Sequence, residues 1–481
     1  MRRAGTVQVG AMIENNSAAG VSFAAEPGAA QLAAYVRLAA IGDVAGARAT
    51  LLAALAAEPA PAWLTCGRAL VLRADLDGAE RVFARALERF ADSIDLAHAL
   101  AGVLWQVRRP AQAEALLRDL LERHPDTAAA GFLLAKILKE QGRMLAAETV
   151  VRALFAHAQP PVGVLIQAIE LLDDCGRKRA AAELVEDAIV AGSTDPRLHA
   201  YAGMLDLQLG DFDLARERYA FALEHDPRAL DWQSAYGLVQ CKRYTRKDDA
   251  DFAYLRGLLQ RPEIGDTARA SLLFALGKLH DDVGEHAPAA DWLRQANAII
   301  DAGAGFSRKN WRRIVSARID ARPLPSRSAP ADDFRPVFIV GLPRSGTTLV
   351  AELLSRHAQV CNRGELAWLP FLAREIVRAG MPDNAALDKA AATYRIQVRQ
   401  DDTDARWFID KQPLNFLHIE LIAAAFPNAR IVYCKRDSRD TALSIWMQYF
   451  AGPEQNFAYA FANIAAVAQG CERLMADALK K

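Results

Sequence analysis

A small residue returns at a nearly constant interval through the first half of the chain, each time near the start of a helical stretch. The residues are Ala47, Ala79, Ala113, Ala147, Ala181 and Ala215, at successive steps of 32, 34, 34, 34 and 34. Two antiparallel helices approach closely only where small side chains face each other, and each pair then buries the apolar stripe of the next. The period therefore predicts an all-α solenoid of stacked helix pairs.

Other residue types follow the same period. Seven residues after each alanine stands a second apolar residue: Ala54, Ala86, Leu120, Leu154, Ala188 and Ala222. A turn is expected five residues before the alanine, and glycine often supplies it: Gly42, Gly142, Gly176 and Gly210. Three prolines stand twelve residues after their alanines and are expected to end the second helix of a pair: Pro59, Pro125 and Pro227.

The period lapses around residues 241–265, where the basic run Lys242–Lys247 is interpreted as a solvated loop rather than an anion site. It returns once, with Gly284, Ala289 and Ala296 in the same relative places. Residues 303–320 are expected to form a last amphipathic helix. Residues 321–332 are rich in proline and serine, can bury little surface, and are predicted to be a linker.

Composition narrows the class of protein. The chain has 58 basic and 58 acidic residues, so charge gives no reason to expect a nucleic acid or a membrane surface as partner. The six cysteines are far apart and include no C-x-x-C pair, which predicts buried free thiols in a reducing, cytoplasmic setting rather than a disulfide frame or a metal site. No apolar run approaches the ~20 residues of a membrane span, and the start of the chain lacks the apolar core of a secretory signal.

After the linker the pattern changes to strands alternating with helices, which predicts a parallel α/β sheet. Val337 to Val340 is a short, β-rich apolar run, residues 341–346 are rich in Gly, Pro and Ser, and Thr347 opens an apolar-periodic stretch. A strand, a small-residue loop and a helix N-terminus together form a cradle for a phosphate-like anion. Thr347 stands where a nucleotide-hydrolysing P-loop has lysine, so the loop is not expected to belong to an NTPase or nucleotide kinase.

Three further segments place polar residues at the ends of predicted strands. Residues 360–365 end at Glu365, before an apolar helix. Residues 407–411 end at Lys411, and residues 430–435 run into Arg436. Such strand ends form the edge at which open α/β sheets bind ligands. In the alternative interpretation, Glu365 is only a helix-start acid, Lys411 is a surface charge, and Arg436–Asp437 and Arg439–Asp440 are local ion pairs.

Two family resemblances follow from these residues. The 34-residue period resembles the tetratricopeptide repeat. The run Pro343 to Leu349 resembles the 5′-phosphosulfate loop of sulfotransferases, especially the tyrosylprotein sulfotransferase branch, which use 3′-phosphoadenosine 5′-phosphosulfate (PAPS). The resemblance implies that the loop holds the phosphosulfate through Arg344, Ser345, Gly346, Thr347 and Thr348.

The same resemblance implies roles at the other strand ends. Lys411 would contact the bridging oxygen of the phosphosulfate, and Glu365 would be the general base that takes the proton of an acceptor hydroxyl. Arg436 and Ser444, eight residues apart, would grip the 3′-phosphate. The implied reaction is direct in-line transfer that calls for no metal.

The expected organisation has four parts: a disordered N-terminus (1–28), a tetratricopeptide helical array (29–320), a linker (321–332) and a sulfotransferase domain (333–481). The sulfotransferase resemblance covers roughly residues 336–450, and residues 457–479 are expected to form one more helix. The family's later strands have no counterpart, so we expect an incomplete domain, from either a fragment or a truncated product.

Two functions from different classes remain open. The first is a PAPS-dependent sulfotransferase acting on a hydroxyl, either of a protein tyrosine, as the branch suggests, or of a sugar or small molecule. The second is a binding protein in which the array carries the function and the α/β part is degenerate and inactive. The array could hold a protein or peptide, pack on the catalytic domain, or dimerise.

Overall fold

The computed structural model describes residues 27–156, 160–325, 333–378, 383–450 and 452–480. Within these ranges the chain forms 23 α-helices and four β-strands, with the helices of the array first and the sheet after them. This order confirms the predicted fold class. Residues 1–26, which include most of the N-terminus expected to be disordered, lie outside the described ranges.

The chain divides between Cys175 and Gly176 into two compact units. The described part of the first unit is helical throughout. Its helices are α1 (Ala29–Ala40), α2 (Val44–Leu55), α3 (Ala60–Leu72), α4 (Leu76–Arg89), α5 (Ile94–Gln106), α6 (Pro110–Arg123), α7 (Ala128–Glu140), α8 (Met144–Ala153) and α9 (Val162–Asp174).

The periodic alanines lie where the helix pairs approach each other. All six from Ala47 to Ala215 are at most 1% exposed. The second apolar positions are less uniform, since Ala54 is exposed and Ala188 is only half-buried. In α2 the buried face runs through Leu51 and Leu55 instead, which leaves Ala54 at the side of the stripe.

The turns between successive helices share one backbone geometry. Seven turn residues have a left-handed φ between 60° and 93°: Gly42, Ala74, Arg108, Gly142, Gly176, Gly210 and Gly284. After Arg108, the N–H of Arg109 donates to the carbonyl of Leu104 at 2.8 Å, which is the hydrogen bond that closes a helix in a Schellman motif. Ala74 and Arg108 therefore adopt the left-handed conformation that glycine adopts in the other five turns.

The second unit begins at Gly176 with a segment that consists of helices. Its helices are α10 (Lys178–Val190), α11 (Pro196–Leu209), α12 (Phe212–His225), α13 (Ser234–Gln240), α14 (Ala250–Leu259), α15 (Asp266–Asp282), α16 (His286–Ala304) and α17 (Arg308–Ile319). The helix expected at 303–320 starts later, because left-handed Gly305 ends α16.

The basic insertion at 242–247 is only partly a solvated loop. Arg243, Arg246 and Lys247 are exposed. Tyr244, however, is buried, and its hydroxyl donates to Asp251 at 2.5 Å. The aromatic ring therefore fastens the insertion to the core, while three of its charges face solvent.

The α/β part of the second unit contains a four-stranded parallel sheet in the order β2-β3-β1-β4. The strands are β1 (Arg335–Gly341), β2 (Val360–Asn362), β3 (Trp407–Asp410) and β4 (Arg430–Cys434). The helices are α18 (Thr347–Leu354), α19 (Trp368–Arg378), α20 (Asn384–Arg399), α21 (Ile419–Ala425), α22 (Ser438–Trp446) and α23 (Phe461–Ala478). The expected last helix thus begins at Phe461 rather than at residue 457.

Helix α18 is present as predicted, but its apolar positions are not buried. Leu349 is 64% exposed and Leu353 is 59% exposed, whereas Thr347 and Ala351 face the sheet. The periodic pattern correctly indicated a helix, but it did not indicate which face would be covered.

Within the second unit the helical segment and the sheet share one core. The Asn297 amide donates to the carbonyl of Trp446 at 3.0 Å, and the Trp311 indole donates to the carbonyl of Ala466 at 2.9 Å. The predicted division at 321–332 stays a prediction, since residues 326–332 lie outside the described ranges. Across the described ranges, none of the helices has both the length and the apolarity to cross a lipid bilayer.

Candidate functional site

All four strands point their carboxyl ends toward one edge of the sheet, because all of them are parallel. Glu365 follows β2, Lys411 follows β3 directly, the loop at 341–346 follows β1, and Arg436 follows β4. The strand order therefore sets the order of these residues along the edge. Adjacent strands in a sheet lie about 4.8 Å apart, so the predicted residues lie side by side at the edge where α/β sheets bind ligands.

Glu365 and Lys411 form an ion pair at one end of this edge. Lys411 Nζ donates to Glu365 Oε1 at 2.5 Å. The backbone prepares this contact, because the N–H of Lys411 donates to the carbonyl of Gly364 at 2.8 Å, beyond the end of the β2–β3 ladder. Gly364 has a φ of 70°, which turns the chain out of β2 just before Glu365.

The two partners differ in burial. The Lys411 side chain is 10% exposed, whereas that of Glu365 is 39% exposed. The ammonium group is thus held among protein atoms, while the carboxylate can be reached from solvent. The pair combines a fixed cation with an accessible proton acceptor.

The loop after β1 is shaped by a close backbone approach. Gly341 has a φ of 149°, and a Cβ there would lie 2.5 Å from the carbonyl oxygen of Cys434 on β4. Glycine is therefore required for the loop to leave the sheet at this point. The Ser345 hydroxyl donates to the carbonyl of Leu342 at 2.7 Å, which closes the loop on itself.

The N-terminus of α18 is left open to an anion. Its N-cap residue, Gly346, has no side chain, and among the described residues no side chain caps this helix. The first-turn N–H groups of a helix have no intrahelical partners. By contrast, the amides of Asp440 and Arg439 at the start of α22 donate to the carboxylate of Asp437 and lower its pKa.

The five predicted loop residues are not equally accessible. Ser345 and Thr347 are buried, whereas Arg344, Gly346 and Thr348 are exposed. Arg344 has a left-handed φ of 68°, and its Nε donates to Ser444 Oγ at 3.2 Å. The loop is thereby joined to α22, which carries the second predicted anion site.

Arg344, Arg436 and Ser444 line one pocket of about 310 Å³. Arg436 contacts Asp440 at 3.6 Å, and Arg439 contacts Asp437 at 3.7 Å. The local ion pairs of the alternative interpretation were thus matched wrongly, since a helical i,i+4 spacing brings Arg436 to Asp440 rather than to Asp437. Both arginine side chains remain at least half exposed.

Two groups of residues at the site were missed. The first is the opposite wall of the pocket, formed by Tyr236, Gln240, Lys278 and Leu293 of the helical segment. Sequence offers no signal for it, because these residues are more than forty positions from the loop and only tertiary packing brings them together.

The second missed group lies beneath the Glu365–Lys411 ion pair. Asp410 is fully buried, and the Tyr394 hydroxyl donates to its carboxylate at 2.8 Å. Burial raises the pKa of Asp410 to about 7, and the polar groups around it, from Tyr394, the Leu366 backbone, Asn415 and the Gln412 backbone, oppose that rise. The sequence did offer a signal for Asp410, because it is an acidic residue in a strand whose other residues are apolar.

Comparison with known proteins follows the same division of the chain. Residues 336–480 match the sulfotransferase family, and residues 70–137 match the tetratricopeptide repeat. In the described ranges no group of three or more His, Cys, Asp or Glu residues could hold a metal ion.

Curated relatives match mainly over parts of their length. An uncharacterized protein of Aquifex aeolicus (strain VF5) is 28% identical over 58% of this chain and 39% of its own length. Protein-tyrosine sulfotransferase 1 of Mus musculus is 28% identical over 23% of this chain and 33% of its own length. The chain thus spans about a third to two fifths of these relatives.

Among solved structures, the MamA protein is 19% identical over 34% of this chain and 91% of its own length, with a TM-score of 0.28.

The two family matches lie on either side of the change from helices to a parallel sheet. The chain carries a tetratricopeptide repeat region and, after it, a domain of the sulfotransferase family.

Proposed function

We propose that the chain is a sulfotransferase that takes a sulfuryl group from PAPS and transfers it to a hydroxyl acceptor. The observation that carries the proposal is the order of groups along one sheet edge. The Glu365–Lys411 pair stands at one end, the loop at 341–346 in the middle, and the pocket of Arg344, Arg436 and Ser444 at the other.

The residues present suit a donor with anionic groups at two ends. The uncapped N-terminus of α18 and the loop amides suit one anion. The pocket suits a second, because arginine donates charge-assisted hydrogen bonds to phosphate oxygens. Its volume of about 310 Å³ lies at the lower limit for small-molecule sites.

Bound PAPS supplies the sulfuryl group and a leaving phosphate oxygen on which negative charge grows. Lys411 stabilises that charge, and it does so more strongly in the transition state than in the ground state. Its buried ammonium group is already in position, which removes part of the cost of orienting it. Glu365 takes the proton of the acceptor hydroxyl through its accessible carboxylate.

We propose the acceptor only as a chemical class, namely a compound with a hydroxyl group. The names of several curated relatives refer to protein tyrosine, and a tyrosine hydroxyl on a protein or peptide is our first candidate. A sugar or small-molecule hydroxyl would suit the same pair of residues. The repeat array is proposed to hold the protein partner, as arrays of this kind present extended binding surfaces.

The compartment is also part of the proposal. Among the described residues the six cysteine side chains form no disulfide bond, and five of them are buried. Burial raises the pKa of the Cys66 thiol to about 11, so the group stays protonated and unreactive at neutral pH. Free thiols of this kind suit a reducing compartment such as the cytoplasm.

The first test is binding of adenosine 3′,5′-bisphosphate to the full chain by calorimetry, with adenosine 5′-phosphate for comparison. We expect the bisphosphate to bind at least tenfold more tightly, because a charge-assisted hydrogen bond is worth about 1.5–3 kcal/mol. Arg436→Ala should remove most of this preference. Arg439→Ala is the matched control, since it removes the same charge from the same helix start at a side chain that is 91% exposed.

Equal binding of the two ligands, or binding of neither, would contradict the proposal. The chain would then be better described as a binding protein whose function resides in the repeat array. Loss of preference in Arg439→Ala to the same extent as in Arg436→Ala would show a general charge effect rather than a phosphate site.

A further inference from the structure

The pocket that holds Arg344, Arg436 and Ser444 has a second wall, which the helical segment supplies. Gln240 ends α13 and Lys278 lies in the last part of α15, and both line the pocket. These residues belong to the same compact unit as the sheet. The α/β domain alone therefore provides only one side of the pocket.

Lys278 is held in one position by three contacts. Its Nζ donates to the carbonyl of Lys242 at 3.0 Å and to Asp282 Oδ2 at 2.5 Å. It also lies 5.2 Å from the centre of the buried Tyr244 ring. An ammonium group has three protons, so these two acceptors leave one proton for the pocket. Because the side chain is already ordered, a ligand would lose little further entropy in engaging it.

The pocket carries an excess of positive charge. Its charged lining residues are the cations Lys278, Arg344 and Arg436 and a single carboxylate, Asp440. Asp440 is already in contact with Arg436. Lys278 is also paired with Asp282, so three cations stand against two carboxylates, and the remaining positive charge favours an anionic ligand group over a neutral or cationic one.

We propose that Lys278 binds the 3′-phosphate of the nucleotide together with Arg436 and Ser444, so that the helical segment completes the nucleotide site. This inference rests on the proposed function, and it assigns to the repeat region a part in donor recognition besides any part in holding a protein partner. Lys278 acts as a specificity residue, because its charge favours a nucleotide with a second phosphate over one without it.

The test compares Lys278→Met with the wild-type chain by calorimetry, using adenosine 3′,5′-bisphosphate and adenosine 5′-phosphate. The affinity for the bisphosphate should fall roughly five- to twentyfold, as expected for loss of one charge-assisted hydrogen bond. The affinity for the monophosphate should change less than twofold. The ratio of the two affinities is the readout, since a purely structural role would weaken both ligands alike.

Lys247→Met is the matched control. It removes the same charge from the neighbouring basic insertion, but its side chain is 66% exposed, pairs with Glu285 and does not line the pocket. Both affinities should stay at the wild-type values. Lys278→Gln is the second variant; it keeps a donor near Lys242 and Asp282 while removing the charge, and it should lose the preference even where Lys278→Met folds poorly.

The outcomes separate this inference from the proposed function. If Arg436→Ala loses the preference for the bisphosphate while Lys278→Met and Lys278→Gln keep it, Lys278 does not touch the phosphate and the inference is wrong. If the wild-type chain shows no preference, the proposed function fails, and this inference fails with it.

Discussion

At the scale of single residues, Asp410 shows how the site constrains the core beneath it. The residue directly precedes Lys411, and its carboxylate is fully buried. The Tyr394 hydroxyl donates to this carboxylate, and the backbone N–H groups of Leu366 and Gln412 are near enough to lower its pKa, so Asp410 lies between the segment after Glu365 and the segment after Lys411. We interpret Asp410 as a positioning residue for the Glu365–Lys411 ion pair. It lowers the stability of the fold, because burial disfavours its charged form.

This cost predicts a pH dependence of stability. Burial raises the pKa of Asp410 from 3.8 to about 7, so the folded state binds its proton more tightly than the unfolded state. The contribution of Asp410 is then fully present below pH 4 and is lost as the pH rises through 7. Asp410→Asn should remove this dependence. Relative to the wild type, the free energy of unfolding of the variant should therefore rise by about 2–3 kcal/mol when the pH is raised from 5 to 8.

Urea unfolding of both proteins at the two pH values measures this difference. The Asn415 side chain lies beside Asp410 and helps to oppose the rise in its pKa, and its Oδ1, which has no hydrogen-bond partner among the described residues, can accept from the new amide. Asp266→Asn, at an exposed position on α15, is the control and should follow the wild type. A constant difference between Asp410→Asn and the wild type across the range would show that the carboxyl does not titrate there.

At the scale of elements, the array depends on its turns as much as on its helices. Seven connections place one residue in the left-handed region, and five of these residues are glycine. For other L-residues that conformation costs roughly 1–2 kcal/mol. Ala74 and Arg108 therefore hold strained positions that packing of the flanking helices keeps in place.

Arg108→Gly should accordingly stabilise the first unit by about 1 kcal/mol. Glycine relieves the strain at φ 64°, although it also adds entropy to the unfolded chain, which offsets part of the gain. Thermal unfolding measures the change. Gly142→Ala is the reciprocal variant: its φ is 73°, open space surrounds the position, and it should destabilise by a similar amount. If both variants lower the midpoint, the turn conformation is not the source of the effect.

At the scale of the whole molecule, the compact units do not follow the change of secondary structure. The repeats from Gly176 onward share a core with the sheet. Trp311 illustrates this, because its ring packs so closely on α23 that a Cβ at Gly470 would lie 2.6 Å from the indole nitrogen. We therefore expect the later helices and the sulfotransferase-family domain to unfold together.

Scanning calorimetry of paired tryptophan variants tests this expectation. Trp311→Ala should lower the transition of the second unit, with a loss of about 3–5 kcal/mol. Trp63→Ala, at a buried position in the first unit, should lower the other transition by a similar amount. Adenosine 3′,5′-bisphosphate should raise the same transition that Trp311→Ala lowers. A ligand shift in a transition that Trp311→Ala leaves unmoved would show that these helices unfold separately from the sheet.

The sequence by itself determined the repeat, the α/β segment and the residues at the strand ends. Ala113 or Gly341 can be interpreted locally, because a small side chain in a helix crossing and a glycine in a phosphate-type loop each follow from the chemistry of a short stretch. The order of groups along the sheet edge also follows once the strands are known to be parallel, although it required the strand order β2-β3-β1-β4.

Tertiary structure alone decided the rest. Lys278 reaches the pocket of Arg436 only through packing of helices distant in the chain, and Leu349 is exposed because α18 turns Thr347 and Ala351 toward the sheet. Periodicity reports that one face of a helix is apolar, but burial is a property of what lies opposite that face. Contacts between residues far apart in sequence leave no local pattern, so they become visible only when the chain has folded.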